Sequence, residues 1–156
     1  MPLPAKISAW FDAQGWVPHP HQLAVMDAAR DSLLIAPTGG GKTLAGFLPT
    51  LAALQAPHQG LHTLYVSPLK ALTHDIARNL ARPVAGLGLD IRIEARTGAT
   101  QPGKRARQRV DPPHILLTTP ESLALLLSYP EAPLLFGSLR RVVIDEIHAL
   151  AESKRG

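Results

Sequence analysis

The sequence has no cysteine, no long apolar run and no basic-then-apolar segment at its N-terminus. Without cysteine there is neither a disulfide framework nor a thiolate metal site, so a cytoplasmic protein is expected. A helix that spans a bilayer needs about 20 mostly apolar residues, and no membrane segment is therefore predicted. Internal repeats and low-complexity tracts are also missing, and the seven histidines form no ligand-like cluster. What remains is the class of ordinary globular domains.

The 156 residues are 46% hydrophobic and carry a net charge of +4. This length is sufficient for one hydrophobic core, and the positive charge is weak support for a polyanionic partner. Short apolar segments predict strands at residues 32–36, 62–66, 90–94, 114–118 and 141–144. Amphipathic segments predict helices at residues 7–13, 20–29, 42–55, 69–82, 102–110 and 120–127. Strands that alternate with helices in this way predict an α/β fold with a parallel sheet, and ligands bind such sheets at the carboxyl ends of the strands.

A glycine-rich segment reading Ala-Pro-Thr-Gly-Gly-Gly-Lys-Thr occupies residues 36–43, between a predicted strand and a predicted helix. Glycines let backbone amides approach phosphate oxygens closely, and the helix N-terminus adds partial positive charge. A lysine here reaches the β and γ phosphates, and a threonine holds the metal. The segment predicts nucleoside triphosphate binding by Thr38, Gly39, Gly40, Gly41, Lys42 and Thr43. The alternative is a flexible glycine turn before a helix.

An acidic pair, Asp145 and Glu146, follows the last hydrophobic segment. At the carboxyl end of a strand, Asp145 can bind Mg²⁺, in part through water, with Thr43 as a second ligand. Glu146 is the candidate to orient or deprotonate the attacking water, and Lys42 completes a minimal catalytic set. His148 is a candidate sensor that couples the nucleotide to other parts of the protein. The alternative is an exposed acidic pair that caps the next helix.

Asp145-Glu146-Ile147-His148 is a DExH box, and residues 36–43 resemble the phosphate loop of superfamily 2 helicases, which commonly have alanine at the position of Ala36. Further segments resemble the nucleic-acid motifs Ia, Ib and Ic of that family. Their candidate contacts are Ser67, Pro68 and Lys70, then Arg96, Thr97 and Gly98, then Thr119, Pro120 and Glu121. Gln22 matches the glutamine of the Q motif, which reads adenine. The sequence of five segments, at residues 64–72, 96–98, 119–123, 145–150 and 153–156, is most similar to the large helicase-related (Lhr) group, which includes bacterial ligase-associated DEXH-box helicases.

The resemblance implies a three-layer, RecA-like P-loop domain with a mostly parallel central sheet. ATP and Mg²⁺ are the implied cofactors, and single-stranded nucleic acid, DNA rather than RNA, is the implied partner in DNA repair. Residues 1–30 would then be N-terminal helices with a Q-motif-like segment, and residues 31–156 an incomplete ATP-binding domain. Motif III and the second RecA-like domain would lie beyond residue 156, so we expect the isolated chain to hydrolyse ATP poorly.

Two other functions stay open at this point. One is a nucleotide-dependent nucleic-acid-binding module without motor activity, and the other is an unrelated P-loop protein such as a small-molecule kinase. An RNA helicase is a variant of the leading hypothesis. A basic run at residues 104–109 either extends a nucleic-acid path or is a solvated helix face. Ala99 stands where relatives often have aspartate, so a polar contact of that loop is missing.

Overall fold

The computed structural model describes residues 2–37 and 41–152. The chain divides into two compact units, Met1–Ala56 with Arg82–Leu89, and Pro57–Ala81 with Asp90–Gly156. Within the described residues, no helix is both long enough and apolar enough to cross a bilayer. The predicted boundary after residue 30 stays a prediction.

The first unit is helical. It contains α1 (Ala5–Gln14), α2 (Pro20–Asp27), α3 (Lys42–Ala53) and the C-terminal part of α4 (Lys70–Gly86). Large apolar side chains from α1, α3 and the residue that follows α4 form its core, namely Ile7, Trp10, Phe11, Leu48, Leu51 and Leu87. Burial of such side chains stabilises the unit by about 1.5–3 kcal/mol each before the loss of chain entropy is counted.

The second unit contains a four-stranded parallel sheet. The strands are β1 (Thr63–Val66), β2 (Ile93–Arg96), β3 (Ile115–Thr118) and β4 (Arg141–Ile144), in the order β2-β3-β1-β4. The N-terminal part of α4 follows β1, and the later helices of this unit are α5 (Pro102–Val110), α6 (Pro120–Leu127), α7 (Ala132–Phe136) and α8 (Ile147–Ala151). The two central strands are buried along their whole length, as expected for a parallel sheet. Its core consists of Leu61, Leu64, Val66, Leu116, Leu126 and Leu135.

The strands end level with one another at the carboxyl edge of the sheet. Val66, the last residue of β1, lies opposite both Thr118 of β3 and Ile144 of β4. Arg96, the last residue of β2, also lies opposite Thr118. The residues that immediately follow the four strands are therefore brought to one edge.

Most predicted elements are confirmed, and the predicted bounds of α5, α6 and β4 are the observed ones. The strand predicted at residues 90–94 lies later, at Ile93–Arg96, because those residues pair with β3. The strand predicted at residues 32–36 is wrong. No strand pairs with this segment in the part of the chain that the structure describes, and Leu33 and Ile35 are 72% and 85% exposed. Helix α7 was not predicted, because the prolines on either side of Glu131 indicated a loop.

Candidate active site

Polar residues follow all four strand ends along the carboxyl edge of the sheet. In the strand order β2-β3-β1-β4 they are Thr97, Thr119, Ser67 and Asp145. The Ser67 amide donates to the Thr118 carbonyl oxygen at 3.1 Å and the Asp145 amide to that of Val66 at 2.9 Å, so the ladder continues past the assigned strands. Residues from four separate segments, each predicted from the sequence to belong to a site, thus share one edge.

The Asp145 carboxylate is held by two hydrogen bonds. Its Oδ2 accepts from the Tyr65 hydroxyl at 2.7 Å, and its Oδ1 accepts from the Glu146 amide at 2.9 Å. Tyr65 lies in β1 with no exposed surface. Burial, followed by the hydrogen bond to Asp145, raises the pKa of Tyr65, so its hydroxyl remains a donor.

Tyr65 was not among the predicted site residues, although the sequence contains a signal for it. It is the one tyrosine in the segment at residues 62–66, which reads as a buried strand. A buried tyrosine hydroxyl usually has a hydrogen-bond partner, and the carboxyl end of a neighbouring strand is a natural place for one.

Glu146 has an unusual backbone. Its φ of 54° and ψ of 45° place it in the left-handed region, where it precedes α8 as the N-cap residue. Its carboxylate Oε2 lies 3.0 Å from Nε2 of His148, and the two side chains are 28% and 75% exposed. The structure therefore joins the predicted catalytic carboxylate and the predicted coupling residue directly.

Three of the residues predicted to bind phosphate, Thr38, Gly39 and Gly40, lie outside the described residues. Gly41 is the N-cap of α3 in the left-handed conformation with φ of 73°, and Lys42 and Thr43 form the first turn. A Cβ atom at Gly41 would lie 2.6 Å from Nε2 of Gln22, so both its conformation and its surroundings favour glycine.

Gln22 connects α2 to this turn. Its side chain is nearly buried, its Oε1 accepts from the His19 amide at 2.8 Å, and its Nε2 donates to the Gly41 carbonyl oxygen at 3.3 Å. The glutamine predicted to read adenine thus contacts the end of the phosphate loop in the first unit.

The predicted nucleic-acid contacts divide into buried and exposed residues. Ser67, Thr97 and Thr119 are at most 6% exposed and hydrogen-bond within their own loops. Arg96 is buried as well, at 2%. Pro68 and Pro120 are half-buried, and the exposed members of the set are Lys70, Gly98 and Glu121. The buried hydroxyls shape the loops, and the exposed positions offer surface to a ligand.

The guanidinium of Arg96 faces α5. Its Nη1 donates to the Arg105 carbonyl oxygen at 2.8 Å and lies 3.4 Å from Oε1 of Gln108. Burial lowers the pKa of Arg96, and the positive charges of Arg105 and Arg109 lower it further. This side chain fastens α5 to the end of β2.

The basic run at residues 104–109 also makes structural contacts. Arg107 donates to both carboxylate oxygens of Glu94 at 2.7 Å, and the guanidinium of Arg109 lies 4.0 Å above the Tyr129 ring. These two arginines belong to the packing of α5, whereas Lys104 is exposed to solvent.

Comparison with known proteins gives the family. Residues 19–156 match the DEAD/DEAH box helicase family, and the chain belongs to this family. It is 42% identical, over 94% of its length, to the "Lhr helicase/probable uracil glycosylase" of Mycolicibacterium smegmatis and covers 11% of that protein. It is 41% identical, over 85% of its length, to the "ATP-dependent helicase Lhr-Core" of Methanothermobacter thermautotrophicus and covers 17% of it.

The fold is also that of a solved relative. The structure of Mycobacterium smegmatis helicase Lhr bound to ssDNA and AMP-PNP superposes with a TM-score of 0.90 at 40% identity. The match covers 98% of this chain and 21% of that one. The resemblance to the Lhr group and the predicted α/β fold with a parallel sheet are both confirmed. The chain spans about a tenth to a fifth of the length of these relatives.

Proposed function

We propose that the chain is the ATP-binding part of an ATP-dependent DNA helicase, which couples ATP hydrolysis to movement along single-stranded DNA. The observation that carries the proposal is the shared edge of Thr97, Thr119, Ser67 and Asp145 at the carboxyl ends of four parallel strands. Membership of the DEAD/DEAH box helicase family supports it. A role in DNA repair and a cytoplasmic location belong to the same proposal, the first resting on the resemblance to the Lhr group and the second on the absence of cysteine.

In the first unit, the start of α3 is suited to bind phosphate. Lys42 supplies positive charge at the helix N-terminus, and the left-handed Gly41 turns the backbone toward the helix. Thr38, Gly39, Gly40 and Gly41 would provide backbone amides, and Gln22 would read the base. ATP is the cofactor that these residue types fit.

In the second unit, the acidic pair is suited to bind a hard cation and to assist hydrolysis. No group of three or more His, Asp or Glu side chains gathers into a metal site within the described residues. Mg²⁺ does not need one, because it keeps several waters and binds one or two protein oxygens together with substrate phosphates. The Oδ2 atom of Asp145 accepts from the Tyr65 hydroxyl and its Oδ1 from the Glu146 amide, and each oxygen retains a lone pair, so the residue fits this role. Thr43 would be the second ligand.

When bound, Mg²⁺ would neutralise phosphate charge. Glu146 would orient the attacking water and accept its proton, and Lys42 would stabilise charge that develops on the phosphates. The contact between Glu146 and His148 would couple the position of the Glu146 carboxylate to α8.

The exposed residues of the edge support a single-stranded nucleic acid as the second ligand. Lys70 can contact a phosphate, and backbone amides near Gly98 and Pro120 can contact others without reading the base sequence. The Lhr relative of known structure is bound to single-stranded DNA, and this favours DNA over RNA. The buried residues Ser67, Arg96, Thr97 and Thr119 would act by holding these loops in shape.

ATP binding by the 156-residue chain tests the first half of the proposal. We expect isothermal titration to show Mg²⁺-dependent binding that Lys42→Ala abolishes and Glu146→Gln retains. Lys6→Ala is the matched control, since it removes a lysine charge from an exposed position of α1. Equal ATP affinity of the wild type and Lys42→Ala would refute the assignment of the phosphate loop.

Phosphate release separates the competing functions. A motor predicts that single-stranded DNA stimulates release by the full-length parent protein and that Glu146→Gln removes the stimulation. A binding module without motor activity predicts nucleic-acid affinity that changes with ATP but no stimulated release. A release rate that no nucleic acid changes would indicate an unrelated P-loop ATPase, and stimulation by RNA alone would indicate an RNA helicase.

A further inference from the structure

We propose that Tyr65 is a positioning residue, whose hydroxyl holds the Asp145 carboxylate in place for the Mg²⁺ that accompanies ATP. The proposal rests on the proposed function and assigns a specific task to a residue outside the predicted motifs.

The position of Tyr65 in the sheet fixes its hydroxyl. It lies in β1, between Leu117 of β3 and Val143 of β4, and no part of its side chain is exposed. A ring enclosed on all sides has no alternative rotamer to adopt without displacing its neighbours. The hydroxyl therefore meets Oδ2 of Asp145 at 2.7 Å from a rigid base.

The turn that follows β1 lies close to the same hydroxyl. Ser67, two residues after Tyr65, has an Oγ that accepts from the Leu69 amide at 3.2 Å within the turn before α4. The Ser67 side chain also acts on the pKa of Tyr65, in the direction opposite to burial and to Asp145. The Tyr65 hydroxyl therefore lies near the turn before α4 as well as at the end of β4.

Packing alone does not explain the hydroxyl. Phenylalanine fills almost the same volume, and burial of a polar group is unfavourable unless a partner satisfies it. Here the partner is the carboxylate that the proposed function assigns to the cation. The contact therefore matches the usual pattern at metal sites, in which a residue behind the ligand fixes its orientation.

The expected consequence follows from the geometric demands of Mg²⁺, which requires near-ideal octahedral ligands. With the hydroxyl present, each oxygen of Asp145 has its own donor. Without it, the Glu146 amide alone restrains the carboxylate, which can rotate about its last torsion. Loss of a residue that orients a metal ligand typically lowers metal affinity by about 10–100-fold.

The test is the Mg²⁺ dependence of ATP binding by the whole chain, measured by isothermal titration for the wild type and Tyr65→Phe. We expect the Mg²⁺ concentration at the midpoint to rise by about tenfold or more in the variant. ATP affinity without metal should stay the same, whereas a general loss of structure would lower it. Tyr129→Phe is the matched control, because it removes the hydroxyl of the chain's other tyrosine and keeps the ring that faces Arg109.

Each outcome is decisive. A midpoint that Tyr65→Phe leaves unchanged overturns the positioning role and leaves the proposed function standing. A metal-free ATP affinity that falls as much as the midpoint shifts indicates a purely structural role and also overturns it. A wild-type chain without any Mg²⁺-dependent ATP binding removes the proposed function and the positioning role together.

Discussion

Replacement of Arg96 by alanine should destabilise the chain and leave its electrostatic attraction to DNA unchanged. This arginine belongs to a segment that resembles a nucleic-acid motif, yet its side chain is 2% exposed and points into α5. If Arg96 contacts a phosphate, the substitution should weaken DNA binding, and if Arg96 holds α5 in place, it should lower stability instead. The comparison therefore decides what the residue does.

The magnitude follows from the contacts of the guanidinium. The 2.8 Å hydrogen bond to the Arg105 carbonyl oxygen comes from a charged donor and contributes about 1.5–3 kcal/mol. The 3.4 Å contact with Gln108 adds little. Loss of the buried aliphatic stem costs about 2 kcal/mol, and the removal of a desolvated charge offsets part of the total. We expect a decrease of about 3 kcal/mol in the free energy of unfolding.

Urea unfolding measures the free energy, and the salt dependence of single-stranded DNA binding measures the phosphate contacts. For Arg96→Ala we expect the lower stability and an unchanged slope of log affinity against log salt. Lys70→Ala, at an exposed position, should do the reverse, with stability within about 0.5 kcal/mol and a slope smaller by about 0.7. Unchanged stability of Arg96→Ala together with a smaller slope would refute the structural role.

Two further predictions concern stability. Burial, followed by the electrostatic effects of His58 and Arg141, lowers the pKa of His62 from 6.5 to about 4, so the unfolded chain takes up a proton first as the pH falls. The contribution of neutral His62 to the free energy of unfolding is complete above pH 6.5, and about 3 kcal/mol of it is lost as the pH falls from 6.5 to 4. Urea unfolding of the wild type and His62→Gln at pH 7 and 4.5 should therefore show a smaller decrease in the free energy of unfolding for the variant. A double-mutant cycle of Glu94→Gln and Arg107→Gln should give a coupling free energy of about 1 kcal/mol, because Nη2 of Arg107 contacts both oxygens of Glu94 and the ion pair is only partly exposed. A coupling free energy of zero would contradict the role of this ion pair in holding α5.

Local signals were sufficient for several elements of the fold. Pro102 and Pro120 stand at the first turns of α5 and α6, where proline is favoured, and both helices have the predicted bounds. Thr119 accepts a hydrogen bond from the Ser122 amide, as expected for an N-cap. These features depend on residues within a few positions of each other, and sequence patterns describe such neighbours well.

Features that depend on distant residues were not predictable. Apolar character suggested a strand at residues 32–36, but a strand also needs a partner for its backbone, and none pairs with it within the described residues. Burial of Arg96 depends on α5, which the pair Glu94 and Arg107, 13 residues apart, helps to hold in place. The link from Tyr65 to Asp145 spans 80 positions, and only the order of the strands reveals it.

The left-handed backbone at Glu146 has a consequence for protein engineering. A side chain at φ of 54° carries a conformational cost of about 1 kcal/mol that glycine does not have. Selection of variants for thermal stability alone would therefore favour glycine at this position and remove the carboxylate that the proposed hydrolysis requires. Stability and activity thus favour different residues at position 146, and a stabilised variant of the chain should keep glutamate there.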